Sequence, residues 1–122
     1  MINPIQIDHI CLLVKSIERS QKYYERLFDF SCRRRPEDPK TLIVESENVH
    51  FFITELENIP EEMLTNQHIS FEVDHLNEIV KFLKSESIEF KTGEVNIFKH
   101  KNYKWCEWRD PDGIRVECVG IN

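Results

Sequence analysis

Two stretches of the chain share one pattern of hydrophobic and polar positions. Residues 7–14 (Ile-Asp-His-Ile-Cys-Leu-Leu-Val) and residues 66–73 (Asn-Gln-His-Ile-Ser-Phe-Glu-Val) both alternate, which is typical of a strand that buries one face. Each stretch is followed by an amphipathic segment that predicts a helix. The matching positions lie 59 residues apart, and each strand carries a histidine at the same place, His9 and His68. The pattern therefore predicts an internal repeat.

The segment after each predicted helix contains three short runs of strand-forming residues. The first helix is expected to begin after Ser16, a residue type that caps helix N-termini well. The strands are expected at about residues 30–34, 41–45 and 49–54 in the first copy. In the second copy they are expected at about residues 89–91, with an extension to residue 94 as the alternative, and at about residues 103–109 and 114–119. The sequence Asp-Pro-Asp-Gly at residues 110–113 predicts a tight turn, because proline presets φ and glycine tolerates positive φ.

Each copy therefore predicts the element order βαβββ. The fold class expected is α+β, with two βαβββ modules forming a cupped mixed sheet and the helices on its outer face. A length of 122 residues predicts a single domain. Module one is expected to cover about residues 5–55 and module two about residues 67–120, with a polar linker at about 56–66. Neither module is expected to bury enough apolar surface to be stable alone.

Composition narrows the class of function. The chain is 40% hydrophobic and 31% charged, which excludes a disordered or low-complexity protein. No apolar run approaches the ~20 residues of a membrane span, and the N-terminus lacks the features of a signal peptide, so no membrane partner and a cytoplasmic location are expected. A net charge of −6 argues against a nucleic-acid partner. The four cysteines form no CxxC pair and are expected to stay reduced.

Alternation along the strands places several polar side chains on the face that points away from the helices. His9 is expected there in the first copy, and His68, Ser70, Arg115 and Glu117 in the second. Two histidines and one glutamate are ligands that suit Zn²⁺, Fe²⁺, Mn²⁺ or Ni²⁺. Each of them alone is more often a solvated strand residue. Their equivalent positions in a repeat favour a metal site at His9, His68 and Glu117.

Two further residues are candidates for moving a proton. His50 is interpreted as a fourth ligand, a general base or a substrate contact, against the alternative of a half-buried structural histidine. Glu107 is a candidate base if its strand faces the cup, and a solvated strand residue otherwise. The candidate substrate contacts, for which ordinary packing is the alternative, are Cys11, Leu13, Phe52, Ser70, Trp105 and Arg115.

Basic residues form two clusters, at residues 33–35 and 99–104. Such clusters are usually solvated. The alternative interpretation is that the second cluster borders the mouth of the site and favours an anionic substrate.

The whole chain resembles the vicinal oxygen chelate superfamily, which includes glyoxalase I, extradiol dioxygenases, fosfomycin-resistance enzymes and bleomycin-resistance proteins. The resemblance rests on the two histidine-containing strands and on Trp-Arg-Asp-Pro-Asp-Gly-Ile-Arg-Val-Glu at residues 108–117. It implies a cupped sheet around a divalent metal ion, in a homodimer. His9, His68 and Glu117 fall on the family's metal ligands, and His50 falls where glyoxalase I carries a further glutamate ligand.

The His, His, Glu set is also similar to that of fosfomycin-resistance thiol transferases, and Cys11 is similar to a cysteine that some of them carry. This chain has Trp105 and Glu107 where those enzymes place serine and tyrosine. We therefore do not expect fosfomycin activity.

Three hypotheses for the function follow. The first is a metal-dependent enzyme of the glyoxalase type, with lyase, isomerase or transferase chemistry on a small oxygenated compound. The second is a ligand-sequestering protein of the bleomycin-resistance type without catalysis. The third is a small extradiol-type dioxygenase. Because a sequestering protein need not keep the metal ligands, the three candidate ligands favour the first.

Overall fold

Each half of the chain forms one mixed four-stranded sheet with a helix packed on one face. The structure is a computed structural model that describes residues 1–121. The chain divides into one unit, Met1–Leu64, and a second unit that begins at Thr65. The first half contains β1 (Cys11–Val14), α1 (Ile17–Leu27), β2 (Ser31–Arg35), β3 (Asp38–Glu45) and β4 (His50–Glu55), and is followed by the short helix α2 (Glu61–Thr65). The second contains β5 (His68–Glu72), α3 (Leu76–Ser85), β6 (Lys91–Val95), β7 (Tyr103–Arg109) and β8 (Arg115–Gly120).

The two sheets have the same topology. The strand order is β1-β4-β3-β2 in the first sheet and β5-β8-β7-β6 in the second. In each sheet the first and last strands of the module pair in parallel, and the other pairs are antiparallel. The predicted fold class, α+β with two βαβββ modules, is confirmed.

The core of module one lies between α1 and one face of its sheet. Ser16 caps α1 as predicted, since its Oγ accepts a hydrogen bond from the Arg19 amide at 3.2 Å. The buried ring of Tyr24 packs edge-on against Phe51 of β4, at 6.0 Å between centroids. Leu12, Leu42 and Ile53 share this buried face, as the alternation predicted.

The core of module two has the same arrangement. The residues that α3 and the sheet bury are Ile69, Phe71, Leu76, Leu83, Cys106, Trp108, Val116 and Cys118. The predicted turn between β7 and β8 is present: Gly113 has a φ of +84°, and its amide donates to the Asp110 carbonyl at 2.9 Å. The Asp110 carboxylate also accepts from the amides of Asp112 and Ile114, at 2.9 and 3.0 Å. This turn sets the register of β7 against β8.

The structure differs from the predicted elements at several places. Strand β3 begins at Asp38 and not at about residue 41, and β6 extends to Val95. The first strand begins at Cys11 and not at residue 7, since its pairing with β4 begins at Cys11 and Phe52. The polar linker contains the five-residue helix α2, whose Leu64 is buried. Among residues 1–121, no helix is long and apolar enough to cross a membrane.

Candidate metal centre

The helix-free face of each sheet, meaning the face opposite α1 or α3, carries the predicted chemistry. On β5 the alternation is complete: His68, Ser70 and Glu72 are exposed, whereas Ile69 and Phe71 are buried. His68 therefore lies on the helix-free face of the second sheet, as the sequence predicted.

His68 and Glu117 come together on this face. Ser70 pairs with Glu117 in the parallel ladder of β5 and β8, and His68 precedes Ser70 by two residues on the same face. The Nε2 atom of His68 lies 3.4 Å from Oε1 of Glu117. The Glu117 side chain is only 12% exposed, and that of His68 is 39% exposed. A half-buried carboxylate next to an imidazole is a donor set that divalent transition metals accept.

Glu107 lies directly opposite Glu117. The two glutamates are register partners in the antiparallel ladder of β7 and β8, and the Glu107 side chain is 19% exposed. One donor atom from each of His68, Glu107 and Glu117 lies within 4.8 Å of the others. Arg115 Nε lies 3.4 Å from Glu107 Oε2, so this predicted substrate contact is an ion-pair partner of Glu107.

Trp105 forms an apolar surface beside the carboxylates. It is the register partner of Val119 on β8 and of Gly93 on β6. A Cβ atom placed on Gly93 would lie 2.6 Å from Cε2 of Trp105, so the indole lies directly over the glycine. The absence of a side chain at Gly93 is therefore what allows Trp105 to lie flat on the sheet.

Module one carries its own cluster, formed by Asp8, His9 and His50. Oδ2 of Asp8 accepts hydrogen bonds from Nδ1 of His9 at 2.8 Å and from Nε2 of His50 at 3.1 Å. These hydrogen bonds, the stronger from His9, hold the pKa of Asp8 below its usual value. The His9 ring also packs edge-on against Phe52, at 5.0 Å between centroids. His9 and His50 are thus joined through one carboxylate oxygen.

Sequence reasoning missed Asp8. The signal was present, because Asp8 precedes His9 directly in the chain. Its bond to His50 depends on the pairing of β1 with β4, which brings His50 next to the segment before β1.

The sheet registers correct one expected equivalence between the modules. Cys11 pairs with Phe52 in module one, and its repeat counterpart Ser70 pairs with Glu117 in module two. Phe52, and not His50, is therefore the counterpart of Glu117. His50 corresponds to Arg115 in the same way.

The other predicted contacts of module one lie on its helix-free face. Cys11 and Phe52 are register partners there, and Leu13 follows on the same side of β1. A chain of hydrogen bonds begins at Cys11: its Sγ lies 3.2 Å from Oγ1 of Thr54, which lies 3.0 Å from Oγ1 of Thr41. Thr41 in turn donates to the Asp38 carboxylate at 2.6 Å.

Three residues of the two basic clusters pair with acidic side chains. Arg33 and Arg35 form ion pairs with Glu45 and Glu37, at 3.2 and 3.1 Å. Lys101 pairs with Glu72 on β5. The second cluster therefore reaches β5 of module two, with part of its charge neutralised by Glu72.

The donor chemistry fits a divalent metal ion. An imidazole and a carboxylate that already meet on a rigid sheet need only side-chain rotation to bind one ion together. These donors are His68 and Glu117, with Glu107 within reach.

The structure repeats a βαβββ module and carries histidine and carboxylate groups on the helix-free faces. The sequence resemblance implies this architecture. The family model described as the Glyoxalase/Bleomycin resistance protein/Dioxygenase superfamily matches residues 6–118. The chain belongs to this superfamily. No curated protein matches its sequence.

Solved structures share the fold over almost the whole chain. A virulence protein from Salmonella typhimurium is 20% identical, with a TM-score of 0.77 and complete coverage of both chains. A lactoylglutathione lyase from Agrobacterium tumefaciens is 13% identical, with a TM-score of 0.72, covering 96% of this chain and 94% of the other. The fosfomycin resistance protein FosX from Listeria monocytogenes, a mutant form complexed with Mn(II) and a dihydroxypropylphosphonic acid, is 18% identical, with a TM-score of 0.64, covering 95% and 90%. At these identities the likeness establishes the fold alone.

Proposed function

We propose that this protein is a metal-dependent enzyme of the glyoxalase type, with lyase, isomerase or transferase chemistry. Its substrate is a small compound whose adjacent oxygen atoms bind the metal ion. The observation that carries the proposal is the contact of His68 with the half-buried Glu117 on the helix-free face of the second sheet. Membership of the superfamily supports the same class of chemistry.

We propose His68 and Glu117 as metal ligands, with His9 as the third ligand that the family resemblance implies. A divalent ion bound there supplies Lewis-acid stabilisation of negative charge on a substrate oxygen. The protein's own side chains line the site and supply the groups that move the proton. Trp105 and Phe52 give the site apolar walls, which small-molecule sites generally have.

His50 and Glu107 are the candidates for moving the proton. His50 Nε2 is hydrogen-bonded to Asp8, so in the neutral ring Nδ1 carries the lone pair that can accept a proton. Glu107 lies 3.4 Å from Arg115 and is a second possible base.

Metal analysis tests the proposal. The purified protein, reconstituted with Mn²⁺ or Zn²⁺ and then desalted, is expected to hold one ion per chain. Glu117→Ala and His68→Ala are expected to lose it, since each removes a donor, and His9→Ala tests the ligand that the resemblance implies. Glu94→Ala removes an exposed carboxylate on β6 outside the cluster and serves as the matched control.

The result that overturns the proposal is negligible metal in the wild-type protein after reconstitution, which favours the ligand-sequestering alternative. A thermal-shift screen with diketones, thiol adducts and catechols, run with and without metal, then addresses the substrate class. A glyoxalase-type site is expected to show a shift that depends on the metal.

A further inference from the structure

We propose that Asp8 is a positioning residue whose carboxylate selects the tautomer of both histidines that it contacts. It holds His9 in the form whose Nε2 can bind a metal ion, and it leaves Nδ1 of His50 able to accept a proton. This inference rests on the proposed function, in which His9 is a metal ligand and His50 a candidate base. It assigns the group that prepares both rings before a metal ion or a substrate arrives.

The pairing of β1 with β4 places the two imidazoles side by side. Cys11 pairs with Phe52, and the Phe52 amide donates to the Ile10 carbonyl at 3.0 Å, so the parallel alignment continues before Cys11. His9 and His50 each lie two residues earlier and therefore on the same face as Cys11 and Phe52. Their ring centroids are 6.0 Å apart. A single carboxylate can therefore reach both rings.

The hydrogen bonds to Asp8 determine which nitrogen of each ring carries the hydrogen. Oδ2 of Asp8 lies 2.8 Å from Nδ1 of His9 and 3.1 Å from Nε2 of His50. An ionised carboxylate only accepts, so both of these nitrogens must be donors. A neutral imidazole carries one hydrogen, so the other nitrogen of each ring keeps its lone pair. That nitrogen is Nε2 in His9 and Nδ1 in His50.

The effect on His9 is the larger one, because it opposes the preference of the ring itself. A free neutral imidazole side chain prefers its hydrogen on Nε2, and that nitrogen is then not available as a ligand. The bond to Asp8 transfers the preference to Nδ1, as a carboxylate partner does for metal-binding histidines in general. The ring of His9 also packs edge-on against Phe52, at 5.0 Å between centroids. These two contacts fix both the tautomer and the plane of the ring.

Neither the fold nor its stability requires a carboxylate at this position. The counterpart of Asp8 in the repeat is Gln67, and the counterpart of His50 is Arg115. The side chain of Asp8 is 70% exposed, and ion pairs at such exposure contribute little to stability. A backbone hydrogen bond already attaches this segment to β4. What Asp8 adds is therefore the orientation of the two rings.

The test is ¹⁵N NMR of the imidazole nitrogens in the full-length, metal-free protein at pH ~8.5, at which an ordinary imidazole is neutral. In the wild type, His9 is expected to carry its hydrogen on Nδ1 and His50 on Nε2. Asp8→Ala is expected to move the hydrogen of His9 to Nε2, whereas His50 keeps the form that a free ring prefers. A merely structural role of Asp8 predicts no such exchange between the two nitrogens of His9.

Asp74 provides the matched control. It is also exposed and directly precedes a histidine, but within the residues that the structure describes its carboxylate makes no hydrogen bond to the ring of His75. Asp74→Ala is therefore expected to leave all histidine tautomers unchanged. Asp8→Glu keeps a carboxylate that only accepts, and it is expected to restore the Nδ1–H form of His9 in part.

Titration with Mn²⁺ connects the tautomer to binding, with the electron paramagnetic resonance signal of the free ion as the readout. Asp8→Ala is expected to weaken the affinity by ~10–100-fold, the usual loss when the partner of a ligating histidine is removed. The Tm of this variant without metal is expected to stay within ~3 °C of the wild-type value, since the side chain is exposed.

Three results would contradict the inference. If His9 carries its hydrogen on Nε2 in the wild type, or keeps it on Nδ1 in Asp8→Ala, Asp8 does not select the tautomer, and the proposed metal dependence stands. If the tautomer changes but the affinity for Mn²⁺ does not, Asp8 does not prepare a metal ligand. If the wild-type protein does not bind Mn²⁺, the proposed function fails as well, whichever tautomer is found.

A second variant covers the case in which Asp8→Ala unfolds at a clearly lower temperature. Asp8→Asn keeps the shape of the side chain, but its amide both donates and accepts. It is expected to give a mixture of the two His9 tautomers. A pure Nδ1–H form in this variant would show that the carboxylate is not the group that selects the tautomer.

Discussion

Burial divides the four cysteines into one accessible and three shielded thiols. Cys106 and Cys118 are register partners on the buried face of the second sheet, and both are free. Burial raises the pKa of Cys106 to about 11 and that of Cys118 to about 12. Burial also raises the pKa of Cys32 to about 11. Cys11, in contrast, is exposed on the helix-free face of the first sheet.

We predict that Cys11 reacts first with a thiol reagent such as Ellman's reagent at pH 8. The thiolate is the reactive form, and a pKa of 11 or more leaves on the order of one thiolate in a thousand at that pH. One fast phase is expected in the native protein, with all four thiols reactive in denaturant. Cys11→Ser should remove the fast phase, and a fast phase that survives it would contradict the prediction.

The face of the sheet on which a side chain lies was predictable where alternation along the strand alone decides it. His68 and Glu117 lie on the helix-free face because side chains alternate along a strand, and this holds for any partner strand. The approach of Glu107 to Glu117 depends on the register of β7 and β8 instead. A slip of one residue would move Glu107 to the other face, so hydrophobic pattern alone could not specify the pair.

At the scale of elements, the strands of module two are placed by close packing between neighbours. The indole of Trp105 covers Gly93, and the turn at residues 110–113 aligns β7 with β8. The sequence predicted the turn from its Pro and Gly residues. It could not predict the contact of Trp105 with Gly93, because that contact depends on the register of β6 against β7, which the hydrophobic pattern does not specify.

Gly93→Ala is therefore expected to destabilise the protein by ~1–3 kcal/mol, the usual cost of forcing an extra methyl group into a packed site. It is also expected to shift the fluorescence of Trp105, because the indole must leave its place on the sheet. Urea unfolding measures the first effect and emission spectra the second.

A double-mutant cycle provides the control. In a Trp105→Ala background the added methyl group has no indole to meet, so Gly93→Ala should cost close to nothing. An equal cost in both backgrounds would show that the backbone at Gly93, and not the indole, is responsible.

At the scale of the whole molecule, the segment that joins the two sheets is part of a hydrophobic core. Ile59 and Leu64 are 8% and 1% exposed, although the surrounding segment is polar. A five-residue helix is too short to show a helical period in the sequence, which is why this segment was predicted only as a polar linker. The α+β class and the repeat were predictable because they extend over whole strands and helices.

Leu64→Ala is expected to lower the free energy of unfolding by ~2–5 kcal/mol, because it leaves a cavity in place of a buried side chain. Met63→Ala, one residue earlier on the same helix, removes a side chain that is 48% exposed and should change stability by less than ~0.5 kcal/mol. Chemical denaturation of both variants makes the comparison. Equal effects would mean that α2 contributes little to the core.

The hydrogen-bond chain that starts at Cys11 has a fixed direction. An ionised carboxylate only accepts, and each hydroxyl has one hydrogen to give. Because Thr41 gives its hydrogen to Asp38, Thr54 must give its own to Thr41, and the hydrogen between Cys11 and Thr54 must come from the thiol. The sulfur then has only lone pairs left to offer, so a molecule resting against β1 meets an acceptor there. Asp38→Asn would introduce a group that can donate, and the polarity of the entire row could reverse.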